Sequence, residues 1–508
     1  MRGEPSRRLT GPNLLADETA AVLEVRFEAG DDPAALIAAW GAAARALHAA
    51  LGRPAPVLLE RRYTVAGGAG ATLGFAAPRD LLYAMTEVND WALAEAARRG
   101  GGAPPGEALA SAAARCAALI AAEANPALIA LAAEAARRGV ALLQDDDEVT
   151  LGLGCHARSW PARALPAPAA VEWAARRAIP LALVTGTNGK TTTTRLLARI
   201  TAAAGWVTGC ASTEAIVVAG EVVERGDWTG PGAARRVLRD PRVEAAVLET
   251  ARGGILRRGV AVDRCDVAVV TNIAEDHLDD WGVGDLATMA RAKLVLARLV
   301  RPGGALVLNA DDPVTVAHAP ADRPTVWFSL APAGALIRAH LGRGGAAALL
   351  EDEVLVLARG AAREPVIAAA EVPVAFGGAA RFNIANALAA TAAAAALGLP
   401  PAVIAAGLRA LHPTRDENPA RVNLYEVGGA HLVTDFAHNP HALGALLPFA
   451  RRAFPGGRLI AVLGQAGDRS DEALGRLARS CVAGGVERVV LRPIPIYLRG
   501  RQLGEVEG

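Results

Sequence analysis

The sequence predicts an α/β protein: a central domain built on a parallel sheet, a smaller α/β domain after it, and a small α+β region before it. Three observations predict this. Short apolar runs without internal alternation recur at 181–184, 245–248, 267–270 and 305–308, with helical stretches such as 232–238 and 286–299 between them. Fully apolar strands alternating with helices indicate a parallel sheet covered on both faces. Polar residues then collect just past the strand ends, as Glu249-Thr250, Thr271-Asn272 and Asn309-Ala310-Asp311-Asp312, where open α/β sheets bind ligands. At 508 residues the chain is also too long for one core, so several domains are expected.

Composition narrows the function classes. The 52% apolar content, much of it Ala, suits helix-rich layers and argues against disorder. Lys plus Arg number 53 against 52 for Asp plus Glu, a balance that gives no footprint for nucleic acid or acidic membranes. The five cysteines are dispersed without a CxxC pair, which fits free thiols in a reducing compartment and disfavours a disulfide frame or zinc site. Cys155-His156 has no partners at ligand spacing. No apolar signal core follows the N-terminal charges, and the longest uncharged run, 382–408, is broken by Pro400-Pro401. A cytoplasmic protein is expected.

Taken in order, residues 21–27 alternate as a half-buried strand and 33–51 follow as an amphipathic helix. A strand at 56–65 runs into Gly67-Gly68-Ala69-Gly70, which lacks dinucleotide-binding spacing and reads as a hairpin or flexible turn. Residues 79–99 form another helix, and residues 1–118 make a small α+β domain without visible chemistry. Residues 119–170 hold a helix–hairpin unit, in which Asp145-Asp146-Asp147-Glu148 is a solvated turn, and then a Pro-rich linker from 157. The central domain spans 171–411. The C-terminal domain, 412–508, has strands at 423–427, 431–436, 459–463 and 488–491, and the chain stops early for a complete domain of this kind.

The stretch with the clearest chemistry is 179–196. An apolar strand meets Gly186-Thr187-Asn188-Gly189-Lys190-Thr191-Thr192, and a helix continues through Leu197 and Ile200. Such a turn makes a phosphate cradle. Backbone N–H groups and the helix N-terminus favour an anion, Lys190 neutralises it, and the Thr191 hydroxyl suits Mg²⁺. The general P-loop pattern would have Gly where Val184 stands. Further on, Glu249 ends a strand. His277 sits in the polar loop Thr271-Asn272-Ile273-Ala274-Glu275-Asp276-His277, and Lys293, sixteen residues later, lies on an apolar helix where it either snorkels or serves the site.

Together these residues resemble the central domain of the Mur ligases, a family that includes folylpolyglutamate synthetases and the C-terminal half of cyanophycin synthetases. The resemblance continues through Arg381-Phe382-Asn383-Ile384-Ala385-Asn386, then Asn418-Pro419-Ala420-Arg421, and Thr434-Asp435-Phe436-Ala437-His438-Asn439-Pro440. It covers residues 176 to 508. Within the family it is closest to the Mur-type half of cyanophycin synthetases, carried by 226–231, 235–259, the ending from Tyr497 to Glu505, and Arg8 to Asn13. Residues 126–155 look like the lead-in to an ATP-grasp domain, yet the ATP-grasp body does not follow, and one of two ligations is expected to be lost.

The resemblance implies an ATP-dependent carboxylate–amine ligase that forms an amide through an acyl phosphate, adding an amino acid to an acidic acceptor. Its cofactors would be ATP and Mg²⁺. Gly186, Thr187, Asn188, Gly189, Lys190, Thr191 and Thr192 would cradle phosphate, Asn386 would face adenine, Asp435 the ribose and Arg421 the phosphates. Thr191 and Glu249 would hold one Mg²⁺, and His277 with a carbamylated Lys293 a second; Lys190, His277 and Lys293 would be the catalytic set. Expected partners are a small-molecule or peptide carboxylate and an amine or amino acid, with no nucleic acid and no membrane, and self-association is left open. Gly467-Asp468-Arg469 either touches the amine or is a solvated turn. The alternative is a catalytically impaired nucleotide-binding regulatory or accessory protein.

Overall fold

The computed structural model describes residues 1–99, 106–276, 278–467 and 470–495, with Leu498, Gln502 and Glu505. The chain divides into two units, each assembled from separate stretches. The first holds Met1–Thr185, Trp206–Ala268 and Leu278–Gly304; the second holds Gly186–Gly205, Val269–His277 and Ala305–Gly508.

In the first unit the N-terminal region is an antiparallel sheet in the order Arg2–Gly3, Ala20–Arg26, Gly68–Ala76, Leu58–Val65, with Arg7–Leu9 also paired to Ala20–Arg26. Helices Pro33–Ala50 and Leu82–Arg99 pack on it through Trp40, Leu47, Met85 and Val88, and Leu109–Glu123 packs on those two helices through Ala112 and Cys116. The strand expected to be half-buried is buried through Val25, and the reason is a second cover. Ala21, Leu23 and Val25 enter the helix-side core, while Ala20 and Val22 pack with Leu9. Glu24, between them, is neutralised by Arg7 at 2.8 Å. The glycine cluster does turn a hairpin, with Val65 paired to Gly68.

The next unit of structure is helix Pro126–Arg138, N-capped by Asn125, with strands Leu142–Gln144 and Glu148–Leu151. Two expectations change here. Residues 158–161, read as linker, form a third strand on Glu148–Leu151, because Trp160 packs with Leu131, Ala135 and Val171 under the helix. The acidic turn is not fully solvated: Asp145 meets Arg239, and Asp146 is bonded by Arg8 at 2.7 Å and by the Tyr83 hydroxyl.

The rest of the first unit contains parallel neighbours Leu181–Thr185, Ala245–Glu249 and Thr208–Ala211, extended by antiparallel Ala215–Val218 and Glu221–Arg225. In the second unit, residues 306–309 of Val300–Asn309 pair in parallel with Thr325–Ser329, and that strand with Ala346–Glu351. Val354–Arg359 and Ala362–Ala368 then continue antiparallel. The sheet architecture is therefore mixed rather than parallel throughout, since successive strands joined by tight turns can pair only antiparallel.

Also in the second unit, helices Lys190–Ala203, Arg381–Ala396 and Pro401–Arg409 pack together, so closely that a Cβ on Gly407 would stand 2.3 Å from the Ile200 Cα. The C-terminal part comprises the hairpin Asn423–Val427 and Ala430–Thr434, helix Pro440–Ala453, and a parallel pair, Ile460–Leu463 and Arg488–Leu491, joined through helix Asp471–Ala483. Among the described residues no single helix is long and apolar enough to cross a membrane, although the bent pair Leu109–Glu123 and Pro126–Arg138 passes by length and composition.

Candidate active site

Within the second unit the loop 186–189 is shaped by glycine and braced from behind. Gly186 has φ 149° and Gly189 φ 82°. A Cβ at Gly186 would stand 1.8 Å from Thr271 Oγ1, and one at Gly189 2.1 Å from Asn386 Oδ1. Only glycine meets both demands. Thr271 and Asn272 bond to the loop's backbone at Thr187 and Asn188. Thr271 Oγ1 donates to Asn188 O at 2.6 Å and Asn272 Nδ2 to the same oxygen at 2.9 Å. Asn188 N in turn donates to Asn272 Oδ1 at 2.9 Å, and Thr187 N to Asn272 O at 2.9 Å. The concave side of the turn is thereby held in one shape.

Helix Lys190–Ala203 starts at this turn with Gly189 as N-cap and no side-chain cap. A helix N-terminus of this kind carries partial positive charge and suits an anion. Lys190 Nζ donates to Thr187 O at 2.9 Å, so the ammonium lies over the loop. Thr191 and Thr192 are buried. Arg421 Nη2 donates to Thr191 Oγ1 at 3.3 Å, bringing a second cation to the cradle. Arg421 sits between Ala420 and Val422, which have φ of 51° and 55°. For a β-branched residue that backbone is a genuine outlier, of the sort that clusters at functional sites. Asp435 Oδ2 accepts from Val422 N at 3.0 Å and so holds that turn; desolvation pushes its carboxyl above the usual range, against the pull of Arg421.

Asn386 is buried on helix Arg381–Ala396, fixed by donating to Asn383 Oδ1 at 3.0 Å, with its own Oδ1 against Gly189. The second unit thus brings together Gly186, Thr187, Asn188, Gly189, Lys190, Thr191, Asn386, Arg421 and Asp435. His277 lies outside the described residues, as do Asp468 and Arg469.

Further side chains complete this cluster, among them His441, Arg195 and Glu417, which the sequence did not single out. Asn188 Nδ2 donates to Asn439 Oδ1 at 3.2 Å and to His441 Nδ1 at 2.9 Å, and Asn439 Nδ2 returns a bond to Asn188 Oδ1 at 3.0 Å. His438 Nε2 is 3.2 Å from Asp276 Oδ2. Arg195 Nη1 donates to Glu417 O at 3.0 Å. His438 and Asn439 belong to the stretch 434–440 that already stood out in the sequence, but their partners 160 to 250 positions away could not be read there.

In the first unit, Glu249 is buried, and Thr213 donates to it twice, from N at 3.1 Å and from Oγ1 at 2.9 Å. Lys293 ends helix Leu286–Lys293 and is 4% exposed, which rules out snorkelling to solvent. Buried lysines are rare unless a partner or function holds them. Among the described residues no three His, Cys, Asp or Glu converge as a metal cage. The donor set fits a phosphate chain: a glycine-only turn, a lysine at a helix start, a hydroxyl at Thr191 and a second cation at Arg421.

Comparison with known proteins decides which family supplies this arrangement. Residues 184–394 match the Mur ligase middle domain, and residues 420–500 match the Mur ligase glutamate ligase domain. These segments belong to the Mur ligase family. The phosphate loop, Glu249, Lys293 and Asn386 lie in the Mur ligase middle domain; Arg421, Asp435, Asn439 and His441 lie in the C-terminal one. The chain is 44% identical over 331 residues to a cyanophycin synthetase of Synechocystis sp., covering 64% of this chain and 37% of that protein. It therefore spans little more than a third of the length of that relative. It is 35% identical over 303 residues to a UDP-N-acetylmuramoyl-L-alanyl-D-glutamate–2,6-diaminopimelate ligase of Gloeobacter violaceus, covering 58% and 57%. A solved structure of a pseudomurein peptide ligase type C from Methanothermus fervidus overlaps at 20% identity and a TM-score of 0.44, covering 64% of this chain and 72% of that one. That overlap is distant.

Proposed function

We propose that this chain is an ATP-dependent carboxylate–amine ligase that works through an acyl phosphate and adds an amino acid to an acidic acceptor, as a cyanophycin synthetase-like enzyme. The observation that carries the proposal is the Mur ligase phosphate loop, braced by Thr271 and Asn272 and met at Thr191 by Arg421. A carboxylate is a poor acyl electrophile, and ATP supplies the phosphoryl group that gives it a leaving group, with Mg²⁺ offsetting the charge. Gly186 and Gly189 let the backbone approach the phosphates. Lys190 and Arg421 stabilise negative charge there, Asn386 sits on the adenine side and Asp435 on the ribose side. Thr191, Glu249, His277 and Lys293, the last as its carbamate, would each serve as an oxygen or nitrogen ligand to Mg²⁺. Carbamylation would turn the Lys293 ammonium into an oxygen ligand. The dispersed free thiols support a cytoplasmic location.

The test is a phosphate-release screen across amino acids and amines against acidic peptides, with Lys190→Ala as control. Amine-dependent phosphate release that Lys190→Ala abolishes supports the ligase. If no amine elicits turnover while the wild type still binds ATP and Lys190→Ala does not, the chain is a nucleotide-binding accessory protein instead.

A further inference from the structure

Residues 278–285 lead from His277 into helix Leu286–Lys293, and they adopt a shape their own side chains disfavour. Asp279 and Trp281 have φ of 76° and 53°, and Gly282 follows at 67°. Left-handed backbone crowds a Cβ against the neighbouring carbonyl, and tryptophan has no short polar side chain to compensate locally. Strain of this kind persists only where surroundings over-determine it.

The surroundings, all within the first unit, are the N-terminal hairpin Leu58–Val65 with Gly68–Ala76. Arg61 Nη1 donates to Gly282 O at 2.8 Å and Nη2 to Trp281 O at 2.9 Å, taking two adjacent carbonyls at the strained turn. Ala66 N donates to Asp279 Oδ1 at 2.7 Å, and Arg26 Nη2 to Asp279 O at 3.4 Å. The Arg7 guanidinium lies 4.6 Å over the Trp281 ring. Arg61 is itself fixed, donating to Thr72 Oγ1 at 3.0 Å, which donates on to the buried Glu24 at 3.1 Å. The two backbones run at closest approach: a Cβ on Gly284 would stand 1.9 Å from Thr64 O, and one on Gly282 2.4 Å from the Tyr63 ring. Beyond the loop, Asp285 caps the helix that bears Lys293, accepting from Thr288 N at 2.6 Å.

We propose that the N-terminal α+β domain is a positioning element of the ligase, with Arg61 as its principal positioning residue. By holding Asp279, Trp281 and Gly282 in left-handed backbone, it sets the start of the helix that carries Lys293. This rests on the ligase reading above. Among the described residues Arg61 bonds to the Trp281 and Gly282 carbonyls and to Thr72, and it acts through the loop.

The test compares Arg61→Ala, Arg61→Lys and Gly284→Ala with the wild type by hydrogen exchange over residues 278–285 and by amine-dependent phosphate release. Gly284→Ala separates the same two backbones without altering the hairpin, so it answers even where Arg61→Ala fails to fold. The expected result is faster exchange confined to 278–285, a kcat lowered by about 10- to 100-fold, and a KM for ATP within about twofold, since small misplacement of a site costs turnover before binding. Arg61→Lys recovers part of the loss, because an ammonium still reaches one carbonyl. Unchanged exchange in both Arg61→Ala and Gly284→Ala overturns the proposal, as does faster exchange with unchanged kcat. Absence of turnover in the wild type overturns the ligase reading and this proposal with it, whereas turnover that the variants leave intact overturns this proposal alone.

Discussion

At Gly189, φ is 82° and a Cβ would stand 2.1 Å from Asn386 Oδ1, so alanine there is strained twice, once in its own backbone and once against a buried amide. Gly189→Ala is expected to weaken binding of an ATP analogue by about tenfold or more while the far-UV dichroism stays native, measured by titration calorimetry. His441 gives the site a pH dependence. Partial desolvation of its ring by the surrounding protein holds the imidazole below the ordinary value of 6.5, against the pull of Asp312, and its Nδ1 accepts from Asn188 Nδ2. The unfolded chain then binds the extra proton as pH falls past 6.5, so this contribution is complete above that value and is lost as pH drops toward the depressed folded value. A protonated ring also cannot accept from Asn188. Between about pH 7.5 and about pH 5.5 the wild type should lose more melting temperature and nucleotide affinity than His441→Ala, measured by scanning fluorimetry and titration.

Strand Ala20–Arg26 shows how an element's burial depends on what covers it. Its alternation predicted one wet face, and one face does enter the helix-side core through Leu23, which is fully buried. The other face is covered by Leu9 and by the Arg7–Glu24 ion pair, contributed by a segment with no strand signal of its own. Leu23→Ala should cost about 3 kcal/mol, seen in urea unfolding, with faster hydrogen exchange in residues 20–76. The strand at Arg158–Pro161 makes the same point from the other side. Prolines and arginines there read as linker, yet Trp160 gains a core under helix Pro126–Arg138 and pairs the strand to Glu148–Leu151. Apolar strands such as Leu181–Thr185 and Ala245–Glu249 were legible because both faces are buried and leave an unbroken run. The antiparallel hairpins at 208–225 and 346–368 were not, since short segments without a clear period carry little signal by themselves.

At the scale of the molecule, the sequence runs in linear order through motifs that the fold redistributes. The chain crosses between the two units at Thr185/Gly186, Gly205/Trp206, Ala268/Val269, His277/Leu278 and Gly304/Ala305. The phosphate loop, Asn386, Arg421 and Asp435 fall in the second unit, so nucleotide should stabilise that unit selectively. An ATP analogue at about a hundredfold excess over its Kd should add about 2.7 kcal/mol, read in scanning calorimetry as an upward shift of one transition that Lys190→Ala abolishes.

By itself the sequence determined the α/β class, the phosphate loop and the family. The class and the loop rest on local chemistry, unbroken apolar strands, glycines where backbone must turn left-handed and a lysine at a helix start, and the family on the resemblance of the ordered motifs. Only the tertiary structure decided that Thr271 and Asn272 brace that loop, that Asn439 and His441 reach Asn188, and that Lys293 is buried rather than snorkelling. It likewise decided that Arg61 holds a strained turn 220 residues away. Each of these depends on residues far apart in the chain meeting at hydrogen-bond distance, and no pattern within a window of sequence encodes such a meeting.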